Sequence, residues 1–338
     1  MICGCRNWIM AIAIAVTLVC STSRAQDIFK DQVFDNEGHT LDIYRANPAG
    51  PTVFYVPGGN WYKHDKNLYT RLGVALAGYG INLVIPQYGA EQKYPNNLYD
   101  VIEAVRWAQA NLSGFGIGST QFHLVGHSAG AHLAYMSLAD HRTNLSETDF
   151  LSMTLISGLY DINFLVRYGN RWRNWGPLQG WHASPIKTKR LMALPMNVIW
   201  AENDYDVVKR QTQHFLYANQ KICQPLQSYI IPCEDHVSEL LNADTNGLLQ
   251  IVVNTVLNGS QPVPMVENSV IIEPGVVSDA PTMPVQETQS VTPEVVIPSP
   301  PPVQENSAPA IQPPVPATPP VPAAPAISPP IAAPVPMP

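Results

Sequence analysis

The chain has 338 residues, with 19 Lys and Arg against 26 Asp and Glu, a formal charge of −7 and 46% apolar residues. Its acids and bases are unevenly spread: from Pro262 onward there are six acids and no base, residues 1–25 hold two bases and no acid, and the middle is left with 17 bases and 20 acids. That balance excludes the basic surface that nucleic acid or an anionic membrane would require, and the length suits one large domain with extra segments.

The chain opens on the pattern of a secretory signal. Arg6 gives a positive start, residues 8–20 are apolar except for Thr17, and Ser23-Arg24-Ala25 puts small residues at positions −3 and −1 of a cleavage site. The run is shorter than the ~20 apolar residues a membrane span needs. A secreted or periplasmic protein cleaved near Ala25 is expected, with an uncleaved anchor as the alternative. Cys3, Cys5 and Cys20 leave with the signal, and the remaining pair, Cys223 and Cys233, is expected to form a disulfide in an oxidising compartment. No ligand set recurs at metal-site spacing, so no metal is expected.

Residues 26–259 read as one domain. Segments 27–34 and 40–44 flank Asn36-Glu37-Gly38 as a hairpin. Short apolar runs at 53–56, 81–85, 122–125, 151–156, 196–200 and 227–231 predict strands. Helical spacing predicts helices over 67–79, 97–111, 129–139, 207–219 and 237–257. Strands alternating with helices imply a mostly parallel sheet covered on both faces, an α/β fold with ligands beyond the carboxyl ends of its strands. From residue 260 the composition changes: 23 of the 33 prolines lie between Pro262 and Pro338, with no aromatic residue. Such a segment cannot supply helices or central strands and is expected to be disordered. It is either a spacer contacting the cell envelope or another protein, or an inert solubilising tail.

The chemistry gathers at the strand ends. Gly126-His127-Ser128-Ala129-Gly130 lies between the predicted strand 122–125 and the helix 129–139. That strand–turn–helix setting is the one in which Gly-x-Ser-x-Gly projects a nucleophilic hydroxyl. A serine needs a base, and His236 follows the last predicted strand. An acid is expected after strand 196–200, where Glu202, Asp204 and Asp206 compete; Asp204 is favoured by its place in the loop. Pro57-Gly58-Gly59-Asn60-Trp61 follows strand 53–56. Its turn makes Gly58, Gly59 and Asn60, with Ala129, the candidate oxyanion donors. Trp61, Trp172 and Trp175 are pocket candidates, with core packing the alternative for the tryptophans of 160–182.

These segments resemble the esterase/lipase group of the α/β-hydrolases, nearest its feruloyl-esterase-like, kynurenine-formamidase-like and hormone-sensitive-lipase-like carboxylesterases. VFYVPGGNWYKHDK (53–66), YPNNLYDVIEAVRW (94–107), GHSAGAHLA (126–134), AENDYDVVKRQTQHF (201–215) and Asp235-His236-Val237-Ser238 are similar to its oxyanion loop, following helix, nucleophile elbow, acid loop and histidine loop. Pro57 stands where the group has a histidine, and Tyr88-Gly89-Ala90 where it has Tyr-Arg-Leu. The resemblance implies an α/β-hydrolase fold and Asp204 as the acid. The implied activity is carboxylic-ester hydrolysis of small molecules without a cofactor, with a short-acyl preference because no long lid interrupts the chain. Two alternatives stay open: an amidase or formamidase using the same triad, and a noncatalytic binding protein on a hydrolase scaffold.

Overall fold

The computed structural model describes residues 27–62, 65–89, 94–168, 177–188, 192–219, 226–259 and 270–271. The expected signal segment, Cys223, Trp172, Trp175 and all of the tail but two residues lie outside these.

Nine strands form one sheet in the order β1-β2-β4-β3-β5-β6-β7-β8-β9. β1 (Asp27–Val33) and β2 (Thr40–Arg45) make the expected antiparallel hairpin, and β2 pairs antiparallel with β4 (Asn82–Gln87). From β4 through β3 (Thr52–Val56), β5 (Phe122–His127), β6 (Phe150–Ile156), β7 (Met196–Ala201) and β8 (Leu226–Ile231) every pairing is parallel. All residues of β3, β5 and β7 are buried. Strands covered on both faces read as continuous apolar runs rather than as alternation.

The two faces of the sheet carry two cores, and the period of two decides which residue joins which. Phe54, Val56, Val84 and Leu124 point toward α2 (Asn96–Asn111), α3 (Ala129–Ala139) and α6 (Asp206–Asn219). Val53, Tyr55, Leu83, Ile85 and Val125 point toward α1 (Thr70–Gly78) and α8 (Leu248–Asn258). Every residue of α3 is buried, as befits a helix that is apolar all round at the centre of the molecule. Two short helices, α4 (Ile162–Tyr168) and α5 (Pro177–His182), stand between β6 and β7.

Two expectations change. The single helix predicted over 237–257 is two, α7 (Ser238–Leu241) and α8, because Gly247 turns the chain at φ 89° after Asn242, Asp244, Thr245 and Asn246. Side chains of that kind favour turns over helix interiors. The tail is not wholly without regular structure: β9 (Val270–Ile271) adds antiparallel to the exposed edge of β8, pairing Ile271 with Tyr229 and Val270 with Ile230.

Candidate active site

β5 ends at His127 and α3 begins at Ala129, so Ser128 alone turns the chain, with φ 54° and ψ −121°. A non-glycine residue there costs on the order of 1–3 kcal/mol. The surroundings hold it: the Ser128 amide donates to the Ile156 carbonyl at 2.8 Å. The flanking glycines are required for a different reason. A Cβ on Gly126 would lie 2.5 Å from the Gly130 carbonyl oxygen, and one on Gly130 would lie 2.1 Å from that of Val56. Only without side chains can α3 close onto the ends of β3 and β5.

The loops after β7 and β8 bring two more residues to this turn. His236 Nε2 is 2.9 Å from Ser128 Oγ, and its Nδ1 is 2.9 Å from Asp204 Oδ1. Asp204 is buried, and its Oδ1 also accepts the Tyr205 amide at 2.7 Å. A carboxylate can only accept, so Nδ1 carries the imidazole proton and Nε2 is left to receive one from the serine. The two loops are tied together: the Cys233 amide donates to Glu202 Oε2 at 2.8 Å, and the Asn203 amide to the Glu234 carbonyl at 2.8 Å. Asp235 shapes the histidine turn by accepting the Ser238 and Val237 amides at 2.8 and 2.9 Å, bonds that hold its carboxyl below the usual range. Asp206 stands apart, in the first turn of α6, exposed and 3.4 Å from Lys209.

The loop after β3 faces the serine turn. Gly59 (φ 130°), Asn60 (φ 54°) and Trp61 (φ 67°) all adopt positive φ, which throws their backbone into a tight turn. The Ala129 amide lies in the first turn of α3, where no helical acceptor exists for it. Gly58 differs from expectation. Its amide donates to Tyr69 Oη at 3.2 Å, so it is not free for an oxyanion. Its value is size: a Cβ there would lie 2.7 Å from His127 Nδ1 and 3.2 Å from Ser128 Cβ. The loop is pinned a second time by Tyr88, whose hydroxyl donates to the Pro57 carbonyl at 2.9 Å. Neither tyrosine was identifiable beforehand, because both act on backbone atoms distant in sequence.

Trp61 is likewise not a pocket wall. It is buried, and its indole N–H donates to His132 Nδ1 at 2.9 Å, while His132 Nε2 donates to the Ala183 carbonyl at 2.7 Å. Burial lowers the His132 pKa to about 4, so the imidazole is a neutral bridge in the core. Lys66, after the same loop, is buried and pairs with Asp42 and Asp31, while its amide donates to Gln87 Oε1 at 2.9 Å. This buried pairing, between residues far apart in sequence, fastens the loop to β1 and β2. Cys233 is exposed with a free thiol; its expected partner Cys223 lies outside the described residues.

Among the described residues, two sets bring three ligating atoms within 4.8 Å, His127–His236–Glu239 and Asp35–His39–Asp100. In the first, both His236 nitrogens already serve Asp204 and Ser128. In the second, His39 Nδ1 is 2.5 Å from Asp35 and Asp100 accepts the Gly89 amide at 2.8 Å. A cavity of about 530 Å³ lies beside the oxyanion loop, walled by Gly58, Gly59, Leu72, His127 and Leu240. A more open groove of about 1100 Å³ runs along the amino ends of the strands, where His123 is the one ionisable residue, far from this chemistry.

The BD-FAE family model matches residues 41–161. The chain is 24% identical to the esterase LipC of Mycobacterium tuberculosis over 63% of its own length and 60% of that protein's. It is 30% identical to kynurenine formamidase of Salmo salar over 41% of its length and 48% of that protein's. It therefore spans less than two thirds of these relatives. Esterase B of Lactobacillus rhamnosis superposes with a TM-score of 0.58 at 18% identity, covering 69% of this chain and 88% of that one. A thermophilic esterase of Thermogutta terrifontis superposes at 0.54 and 16% identity, covering 72% and 96%. The sheet order, the elbow and these likenesses agree: the chain has the α/β-hydrolase fold and, over residues 41–161, is similar to the BD-FAE family and to esterases and formamidases built on that fold.

Proposed function

We propose that this chain is an exported serine hydrolase that cleaves small carboxylic esters of short acyl chain length. The observation that carries the proposal is the unbroken hydrogen-bond chain from Ser128 through His236 to Asp204, starting at a serine held in a strained turn. Ser128 Oγ attacks the acyl carbonyl carbon and passes its proton to His236 Nε2. The carbonyl oxygen becomes an oxyanion facing the amides of Ala129 and Gly59, with Asn60 beside them. Collapse breaks the bond to the alcohol oxygen, which takes the proton from Nε2, and leaves an acyl-enzyme. Water then repeats the cycle, releasing the acid. Asp204 holds the imidazole tautomer and answers its transient positive charge.

Short acyl groups are favoured because the described residues between β6 and β7 form only α4, α5 and one 3-10 turn (Pro185–Lys187), little surface to cover a long chain. A formamidase is the second possibility. It is favoured by the 30% and 32% identity to kynurenine formamidases of Salmo salar and Danio rerio, and the same three residues would serve it. Export follows from the amino-terminal pattern, and the proline-rich tail is a spacer toward the envelope or another protein. A fluorophosphonate probe should label the chain at Ser128 and leave Ser128→Ala unlabelled. A panel of p-nitrophenyl esters beside an N-formyl arylamine should give its largest kcat/KM on acetate or butyrate. Absence of labelling would end the hydrolase proposal; a preference for the formyl amide would select the second possibility.

A further inference from the structure

His236 is held by more than its two hydrogen-bond partners in the triad. Its loop turns over two buried side chains that ester hydrolysis as described leaves without a part, His127 and Glu239. His127 Nε2 is 3.0 Å from the His236 carbonyl oxygen. A carbonyl only accepts, so Nε2 carries the proton and donates. The two rings lie 4.9 Å apart at 41°, and the Tyr205 ring also packs against His236, at 5.0 Å. The other nitrogen of His127 faces Gly58, where a Cβ would come within 2.7 Å. One imidazole therefore adjoins the nucleophile in sequence, packs under the oxyanion loop and holds the backbone of the base.

Glu239 lies behind it. Its side chain is wholly buried, with Oε1 3.5 Å from His127 Nε2, and neither oxygen makes a hydrogen bond of ordinary geometry. Ser157 from the end of β6 and Tyr55 from β3 face it, and Asp204, Asp235 and Glu234 surround it with negative charge. Burial above all, and then these acids, raise its pKa well above the usual range. Burial likewise keeps His127 neutral. Buried polar groups with few partners are costly, on the order of 1–3 kcal/mol each, and such a pair directly under a base calls for a function.

We propose that His127 and Glu239 are positioning residues, which set the height and tilt of His236 over Ser128 Oγ: Glu239 packs His127, and His127 holds the His236 backbone. This rests on Ser128 as nucleophile and His236 as base.

The test compares kcat, KM and the rate of fluorophosphonate labelling in His127→Ala, His127→Gln, Glu239→Leu and Glu239→Gln. A misplaced base slows the chemical step and leaves ground-state binding alone. His127→Ala should therefore lower kcat and the labelling rate by ~10- to 100-fold with KM within about twofold. His127→Gln should recover much of that loss, because its amide can donate from the place of Nε2. Glu239→Leu should lose more than Glu239→Gln, and the acid limb of the kcat/KM profile should stay put in Glu239→Gln, since the proposed role is to pack His127 and not to supply charge to His236. His127→Ala with undiminished kcat, or a loss confined to KM, overturns the proposal. So does an acid limb moved down by a full pH unit in Glu239→Gln, which would make Glu239 a charge partner of His236. If His127→Ala does not fold, His127→Gln and His127→Asn at matched Tm decide the same question: equal kcat in both overturns it. Ser128→Ala separates the two failures. If that variant still turns over, the nucleophile is wrong; if it is dead while His127→Ala is fully active, only the positioning role is wrong.

Discussion

Replacing the acid of the proposed triad isolates charge from shape. In Asp204→Asn the side-chain oxygen can still accept the Tyr205 amide, now 2.7 Å from Oδ1, so the loop has no reason to move. What disappears is a negative charge 2.9 Å from His236 Nδ1. At an effective dielectric of ~20 that pair is worth at most about 6 kcal/mol, a ceiling near 10⁴ in rate. Part of that attraction already acts on the neutral imidazole and its N–H bond. The expected loss in kcat is therefore about 10²- to 10⁴-fold, with a change in Tm of a few degrees at most. Asp206→Asn should behave oppositely. Asp206 is exposed in the first turn of α6 beside Lys209, where a carboxylate favours the helix dipole by about half a kcal/mol. Its kcat should stay within about twofold and its Tm should fall by ~1–2 °C. The assay is steady-state hydrolysis of p-nitrophenyl acetate, with circular dichroism for Tm. If Asp206→Asn is the inactive variant, the assignment of the acid is off by two residues. If both remain active while Ser128→Ala is dead, neither aspartate completes the triad.

Three further outcomes follow from the surroundings of the site. Gly58→Ala places a methyl 2.7 Å from His127 Nδ1 and 3.2 Å from Ser128 Cβ, so kcat/KM should drop at least ~10-fold; full activity would show that the loop can retreat. Lys66→Met leaves buried Asp42 with one cation, Lys30 at 2.6 Å, and the Asp31 amide at 3.0 Å. Because these partners remain, the loss should be about 2–3 kcal/mol, below that of a fully broken buried pair, and a urea midpoint equal to the parent's would refute it. Asp140 is largely buried, which raises its pKa, but Arg142 and the Tyr94 hydroxyl outweigh that and set it to about 2, against 3.8. A depressed carboxyl stabilises the fold above its unfolded pKa and loses that contribution as pH falls from about 4 through 2. Discounted for partial exposure, about 1–2 kcal/mol should vanish over that range, and Asp140→Asn should flatten the fall in urea unfolding; an unchanged slope would count against the pairing.

The fold was legible because its signals are local. Apolar runs bounded by Gly and Pro mark β3 through β8, and the 3.6 period marks α2 and α6. The elbow was legible for the same reason, since strand, Gly-x-Ser-x-Gly and helix are contiguous. Asp204 and His236 could be placed on loops by order along the chain, but the 2.9 Å links that join them to Ser128 exist only because β7 and β8 lie beside β5 and β6 in the sheet. What stayed hidden was decided by contacts between distant residues. Gly58 looked like an oxyanion donor until Tyr69 took its amide, and Trp61 like a pocket wall until His132 took its indole. The break between α7 and α8 and the addition of β9 to the edge of β8 were settled by packing and pairing rather than by propensity. Residue type and spacing determine which groups can do chemistry; which of their hydrogen-bonding atoms remain free to do it depends on neighbours that only the folded chain supplies.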